Sequence, residues 1–459
     1  MAKRELPVKE NEELVADITG ITHKGEGVAK FKGYPLFIKG AMQGETVRLK
    51  VVQTKKNFGY GKLLEVVNES EHRVEPRCSL YKECGGCNVQ HISYEQQLAN
   101  KTDLVVDNLK RIGHLEVDVN PCIGMEDPWR YRNKTQVPFG LTEAGEVVAG
   151  FYKPRSHDIV NMERCDIQDD TADEIIDRIR QLSAEYDIEP YNEFKHKGFL
   201  RHVIVRKGHA TNEYMVTLIT NKKRFLQKEP FVDVLSSEFK MIKSIVQNVN
   251  TKKTNVILGD ETLVLYGQEY IYDYIGDVKF AISARSFYQI NPVQTKVLYE
   301  KALEYANLTK EDTLIDAYCG IGTIALFAAN RVKKVYGVEV VKDAIKDAKY
   351  NAELNGFKNT HFELGKAEVV IPDWRKQGIE ANALIVDPPR KGCDESLLNT
   401  IIEMQIPRMV YVSCNPATLA RDLRILEDGG YAIREVQPVD MFPHTSHVEC
   451  VVSMVCEGK

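Results

Sequence analysis

The chain has 459 residues, 43% of them hydrophobic, and a net charge of −5. That length exceeds a single compact core and implies two or three domains of an ordinary globular protein. No stretch approaches the roughly 20 apolar residues that span a bilayer, and the start, Met1-Ala2-Lys3-Arg4-Glu5-Leu6-Pro7, lacks the apolar core of a secretory signal; no membrane partner and a cytoplasmic location are expected.

The charge is unevenly spread. Residues 1–67 carry 12 Lys/Arg against 8 Asp/Glu, and the segment Lys195–Lys228 carries 9 against the single acid Glu213. Two basic segments in an acidic chain fit a localised backbone-binding face for a nucleic acid better than a uniformly basic surface. Solvated surface is the plain alternative for either run.

In chain order, residues 1–67 hold short strands broken by glycines: Leu14–Ile21, Gly27–Phe31, Tyr34–Ile38, Glu45–Gln53 and Gly59–Val67. Such a run predicts a small OB-like barrel. Lys50, Lys55, Lys56, Phe58, Tyr60 and Lys62 suit single-strand binding, with a purely structural barrel as the competing reading. Residues 68–280 form a mixed α+β central domain. It opens on a cysteine cluster, followed by an amphipathic helix over residues 93–113 that is expected to pack on the catalytic domain. A helix over Thr171–Tyr186 and a hairpin of Arg201–Arg206 with Tyr214–Thr220 follow.

From 281 to 459 the rhythm is strand–helix alternation. Helices Pro292–Ala306, Thr323–Asn330 and Lys342–Asn355 separate strands Thr313–Asp316, Lys334–Glu339, His361–Leu364, Ala383–Asp387 and Arg408–Ser413. This predicts an α/β domain with a doubly wound parallel sheet whose ligands sit at the carboxyl ends of the strands. The glycine loop Asp316-Ala317-Tyr318-Cys319-Gly320-Ile321-Gly322-Thr323 follows the first strand, and Glu339 ends the second. The loop is neither a dinucleotide fingerprint nor a P-loop. With an acid placed to accept from ribose hydroxyls, the three features resemble a class I S-adenosylmethionine-dependent methyltransferase. Asp387-Pro388-Pro389-Arg390 ends the fourth strand; the arginine stands where amino-methylating enzymes carry an aromatic residue.

The fifth strand runs into Cys414-Asn415-Pro416. Carbon 5 of uracil is a poor nucleophile, but a thiolate added at carbon 6 turns it into an enolate carbon able to accept a methyl group. A base must then remove the carbon-5 proton. Glu449 and His447, in His447-Val448-Glu449, are both candidates, and chemistry alone does not separate them. Ten cysteines in a long chain argue for metal binding or catalysis. Cys78, Cys84 and Cys87, with Cys165 downstream, supply four thiolates for zinc or an iron–sulfur cluster.

Asp387-Pro388-Pro389-Arg390, Ser413-Cys414-Asn415-Pro416, His447-Val448-Glu449 and Phe287-Tyr288-Gln289-Ile290-Asn291 together closely resemble the uracil-5 RNA methyltransferase family, across essentially the whole chain. Its ribosomal-RNA branch joins a TRAM barrel, a central domain with an iron–sulfur cluster and a methyltransferase domain. The resemblance implies transfer of a methyl group from S-adenosylmethionine to specific uridines of 23S ribosomal RNA, and no obligate protein partner is evident. It implies Cys414 as nucleophile and Glu449 as base, with Gln289, Tyr318, Gly320, Glu339 and Asp387 around the cofactor. Phe287, Gln289 and Asp387 are then expected around the uracil, and a [4Fe–4S] cluster on Cys78, Cys84, Cys87 and Cys165. Cys450 stands where the family pattern has threonine. Transfer-RNA methylation is the nearest competing function. Cytosine-5 methylation fits the motifs less well, and an RNA-binding or assembly factor with a redox-sensing cluster is the non-enzymatic alternative.

Overall fold

The computed structural model describes residues 6–458. Strands β1 (Glu13–Ile21), β2 (Glu26–Phe31), β3 (Tyr34–Lys39), β4 (Thr46–Thr54) and β5 (Gly59–Asn68) close into a barrel in the order β1-β2-β3-β5-β4. Closure leaves no free sheet edge. Strand alternation sends Leu36, Ile38, Leu49 and Val51 into its core and turns Phe37, Lys39, Lys50, Tyr60 and Lys62 outward.

Ser93 caps helix α1 (Tyr94–Asn108), accepting from the Gln96 amide at 3.4 Å. A wider turn, Leu109–Gly113, ends the helix at His114, which is left-handed. Val105 and Leu109 of this helix share a buried cluster with Leu419 and Leu423 of the carboxyl-terminal half. Buried Lys101 pairs with Asp440 at 2.5 Å, and Tyr94 donates to the same carboxylate at 2.9 Å. The helix therefore braces the segment that leads to Glu449.

The central sheet contains β6 (Lys134–Leu141), β7 (Val147–Tyr152), β8 (Ile159–Asn161), β9 (Leu200–Lys207), β10 (Tyr214–Thr220), β11 (Ile242–Val249) and β12 (Glu261–Gly267), ordered β12-β11-β10-β9-β6-β7-β8. Ile175, Ile179 and Leu182 of α2 (Asp170–Glu185) and Phe231 and Leu235 of α3 (Lys228–Glu238) join Val137, Val203 and Val216 in one core. Hairpin β13 (Ile271–Ile275)–β14 (Val278–Ile282) packs instead with Leu298, Tyr299 and Leu314. On this packing we propose that the catalytic unit begins at Ile271 and includes α1, so the division at 280/281 moves.

The catalytic unit continues with α4 (Pro292–Ala306), β15 (Thr313–Ala317), α5 (Thr323–Ala329), β16 (Lys334–Glu339), α6 (Lys342–Leu354), β17 (Thr360–Leu364), α7 (Ala367–Lys376), β18 (Ala383–Val386), α8 (Glu395–Met404), β19 (Arg408–Ser413), α9 (Pro416–Asp428), β20 (Tyr431–Val439) and β21 (Glu449–Cys456). The sheet order is β17-β16-β15-β18-β19-β21-β20. Six strands run in one direction, five of them joined by parallel pairings, and β21 inserts antiparallel between β19 and β20. Strands buried on both faces divide their side chains between two cores: Leu314 joins one and Ile315 the other. Among the described residues no helix is long and apolar enough to cross a membrane.

Candidate active site

The turn after β15 has three residues with positive φ: Tyr318 (66°), Gly320 (54°) and Gly322 (82°). A side chain other than glycine is rare there, and a Cβ on Gly320 would meet nothing within 4 Å. The turn thus presents open backbone beside the strand end. Glu339 closes β16 and faces this turn. One carboxylate oxygen accepts from the amides of Val340 (2.7 Å) and Val341 (2.9 Å), the other from Gly320 (3.3 Å). Asp316 is buried below; one oxygen accepts from the Ala325 amide at 2.9 Å and the other has no partner. A buried orphan acceptor and an open glycine turn fit a polar ligand such as the cofactor. Asp316 lay unremarked inside the sequence motif; its burial is what singles it out.

At the next strand ends the polar groups converge. Ser413 of β19 stands opposite Cys450 of β21, so Cys414 and Glu449, each one residue beyond that pair, lie at the same end of the two strands. Asn415, accepting from the Ala417 amide at 3.1 Å, caps α9 and fixes the turn that carries Cys414. Its side-chain amide donates to the Arg390 carbonyl at 2.9 Å, tying the Cys414 turn to the Asp387-Pro-Pro-Arg turn.

The electrostatics of these groups are linked. Burial, followed by the charges of Glu449 and Asp387, pushes the Cys414 thiol up to about 11, and Arg390 opposes that rise. Burial also lifts Asp387 to about 7. Glu449, 4% exposed, is raised well above the ordinary carboxylate range by burial and then by Asp387, and lowered by Arg390. His447 lies at the mouth, its pKa lowered by desolvation and by Arg390. Arg390 is thus the cation shared by the thiol and the base candidates. In the sequence Arg390 excludes amino-methylation and completes a family motif; its electrostatic role emerges only where the turns meet.

The segment before α4 is split by burial. Tyr288 is core and contacts Asp273 at 3.3 Å, whereas the Phe287 ring is 72% exposed. Gln289 is buried, and its carbonyl accepts from Asn133 at 3.0 Å. Asn291 caps α4 and donates to the Met441 carbonyl at 3.1 Å. This loop is therefore pinned to the segment leading to Glu449.

The four expected metal-ligating cysteines lie outside this cleft and influence one another electrostatically. Cys87 is raised to about 12 by burial, with charge from Cys84 and Cys78 adding to it; Cys165 is raised by burial and by Cys87 and Cys84. Thiols that sense one another in this way are a chemically suitable donor set. Among the described residues, however, no three or more His, Cys, Asp or Glu side chains are grouped so as to hold a metal ion. The adjoining Asn88 donates its amide to the His444 carbonyl (3.2 Å) and accepts from the Ser446 amide (2.9 Å). The cysteine loop thus abuts the chain that enters β21.

The sheet, glycine turn and strand-end acids define a class I S-adenosylmethionine-dependent methyltransferase. Within that class, the chain belongs to the tRNA (uracil-5-)-methyltransferase family, whose profile matches residues 93–456; a TRAM domain profile matches residues 7–64. It is an RNA (uracil-5-)-methyltransferase. An uncharacterized RNA methyltransferase of Bacillus cereus is 56% identical over 98% of this chain and 97% of its own length. One of Clostridium acetobutylicum is 49% identical over 97% and 98%. The crystal structure of Pyrococcus abyssi tRNA (uracil-54, C5)-methyltransferase in complex with S-adenosyl-L-homocysteine superposes with a TM-score of 0.77 at 28% identity, covering 96% of this chain and all of that one.

Proposed function

We propose that the enzyme methylates carbon 5 of one or more uridines of 23S ribosomal RNA in the cytoplasm through a covalent Cys414–uracil adduct. The register that brings Cys414 and Glu449 to the same strand end, with Asp387 and Arg390 influencing the thiol, carries this reading. The thiolate of Cys414 adds to carbon 6 of the extruded base, and the electron pair moves through carbon 5 towards the carbon-4 oxygen. S-adenosylmethionine, when bound, supplies an electrophilic methyl group to carbon 5. Glu449 then takes the carbon-5 proton, and the released pair expels the Cys414 sulfur. Tyr318, Gly320, Glu339 and Asp387 hold the cofactor end of the site. Gln289 lies between cofactor and base, and Phe287 fills the stack the base has left.

Transfer RNA is the second reading, and one observation favours it. The Pyrococcus abyssi transfer-RNA enzyme matches this architecture along its full length, so barrel plus central domain do not by themselves select ribosomal RNA. Mass spectrometry of both RNA pools, from cells with and without the gene, decides between them. Loss of a uridine methyl group from 23S RNA is expected; loss from transfer RNA alone reassigns the substrate.

Cys78, Cys84, Cys87 and Cys165 are proposed to hold a [4Fe–4S] cluster that supports the Asn88 junction and takes no part in methyl transfer. Their mutual electrostatic influence and the family resemblance support it. Anaerobically purified protein is expected to contain iron and acid-labile sulfide in equal amounts, with both absent from Cys87→Ser. Zinc in place of iron overturns the assignment.

A further inference from the structure

Far from the catalytic cleft, the central domain carries an open groove of about 1300 Å³. Asn133, next to Gln289, precedes one end of β6, while the groove lies at the other end around Phe139 and Leu141. At about 3.3 Å per strand residue the two places are roughly 25 Å apart.

Its most unusual feature is Phe194, whose ring is 83% exposed. The exposure is held in place by a structured turn. Asn192 accepts from the amides of Phe194 (3.1 Å) and Lys195 (3.0 Å), its own amide donates to the Lys197 carbonyl at 2.7 Å, and Tyr191 and His196 hydrogen-bond at 2.7 Å. Lys195 and Lys197 follow Phe194 in the chain and line the same groove. A large aromatic side chain held in solvent on a structured turn, with two lysines close after it in the chain, suits a flat apolar partner carrying negative charge.

The floor beside this turn is also built. Arg201, buried in the groove floor, stacks over Tyr191 at 4.3 Å and donates to the carbonyls of Asn250 (2.6 Å) and Lys252 (2.8 Å). Arg201 thereby fixes the loop that presents Lys253 to the groove. Two arginines of the basic run Lys195–Lys228, Arg201 and Arg206, are thus structural, while Lys195 and Lys197 are free to meet a ligand. Acids line the groove as well, Glu193 being engaged by His157 at 2.8 Å. Charge alone does not choose the occupant; the exposed ring does.

The groove continues onto the barrel. Arg155 lies at its rim and over the Tyr60 ring at 5.4 Å. Tyr60 packs with Phe37 and Phe58 at centroid separations of 6.0 and 5.7 Å. Register places Phe37 beside Tyr60, and Lys39 and Lys50 beside Lys62. Aromatic faces interleaved with cations along a continuous path are the features that hold unpaired nucleic acid by stacking and backbone charge.

We propose that the central-domain groove binds an unpaired segment of the substrate RNA, with Phe194 stacking on a base, as an extension of the barrel surface remote from the target uridine. The inference rests on the RNA-methyltransferase reading above. It is tested by fluorescence anisotropy with labelled dodecauridylate and by kinetics on the full-length substrate RNA, for wild type, Phe194→Ala and Phe194→Trp. Phe194→Ala is expected to raise the Kd and the KM about tenfold with kcat and melting temperature unchanged, and Phe194→Trp to restore both. A 4-thiouridine-substituted dodecamer is expected to photocrosslink to the peptide containing Phe194. An unchanged Kd and KM, or crosslinks confined to the barrel and catalytic domain, overturn the groove while wild-type methylation still stands. A wild-type enzyme that methylates no RNA overturns the functional reading instead, and the crosslink map still reports on the groove.

Discussion

Cys414→Ala is expected to lower methyl transfer by about 10⁴-fold or more while leaving RNA affinity within a few-fold of wild type. Without a sulfur nucleophile carbon 5 stays unactivated, and no neighbouring side chain supplies a substitute. The side chain is small and only half-buried, so the variant folds. Free enzyme also has a pH signature. With the thiol raised to about 11 by burial and by two carboxylates, the thiolate fraction is small at neutral pH and grows about tenfold per pH unit below that value. Alkylation of Cys414 by iodoacetamide should therefore rise with that slope from pH 7 towards pH 10, and Arg390→Met should slow it by removing the one cation that opposes the rise. Wild-type turnover by Cys414→Ala would remove Cys414 from the proposed role, whereas a pH-independent alkylation rate would show the thiol to be ionised already at neutral pH.

Local signals made much of the architecture legible. Alternating short strands marked the barrel, and its outward Phe37, Lys39, Tyr60 and Lys62 follow from period two. The strand–helix rhythm from Pro292 onward marked the parallel sheet, because each unit buries both faces by its own composition. What local pattern cannot carry is the placement of β21. It enters antiparallel between β19 and β20, so the neighbour of Cys414 is decided by a pairing between distant segments. That pairing brings Glu449 into the core at the strand end that carries the thiol and leaves His447 at the mouth, a distinction that residue chemistry left open. Charge counting is incomplete in a similar way at Lys195–Lys228, where Arg201 and Arg206 are buried. Period and composition do not report which cations a tertiary fold will consume. The same holds for Arg390, whose influence on Cys414, His447 and Glu449 arises only where three turns meet.

Glu449→Gln is expected to stop the reaction after methyl transfer and to accumulate a covalent RNA–enzyme adduct, with steady-state turnover reduced by about 10³-fold. The carboxylate is buried and its pKa lies above the ordinary range, so its ionised form is a stronger base than an exposed carboxylate. The amide cannot accept the carbon-5 proton, yet it preserves the shape of the side chain. It also removes one of the two carboxylates that disfavour the Cys414 thiolate, so adduct formation should proceed at least as fast as in wild type. Elimination then fails because the carbon-5 proton stays in place. The adduct should appear as a slower band of labelled RNA on a denaturing gel, carry the transferred methyl group, and vanish in the Cys414→Ala/Glu449→Gln double variant. If Glu449→Gln turns over normally, or binds RNA without forming the adduct while His447→Ala traps it, the base is His447. In that case the register that brings Glu449 to the same strand end would serve to orient the thiol, and proton removal would occur at the exposed mouth of the cleft.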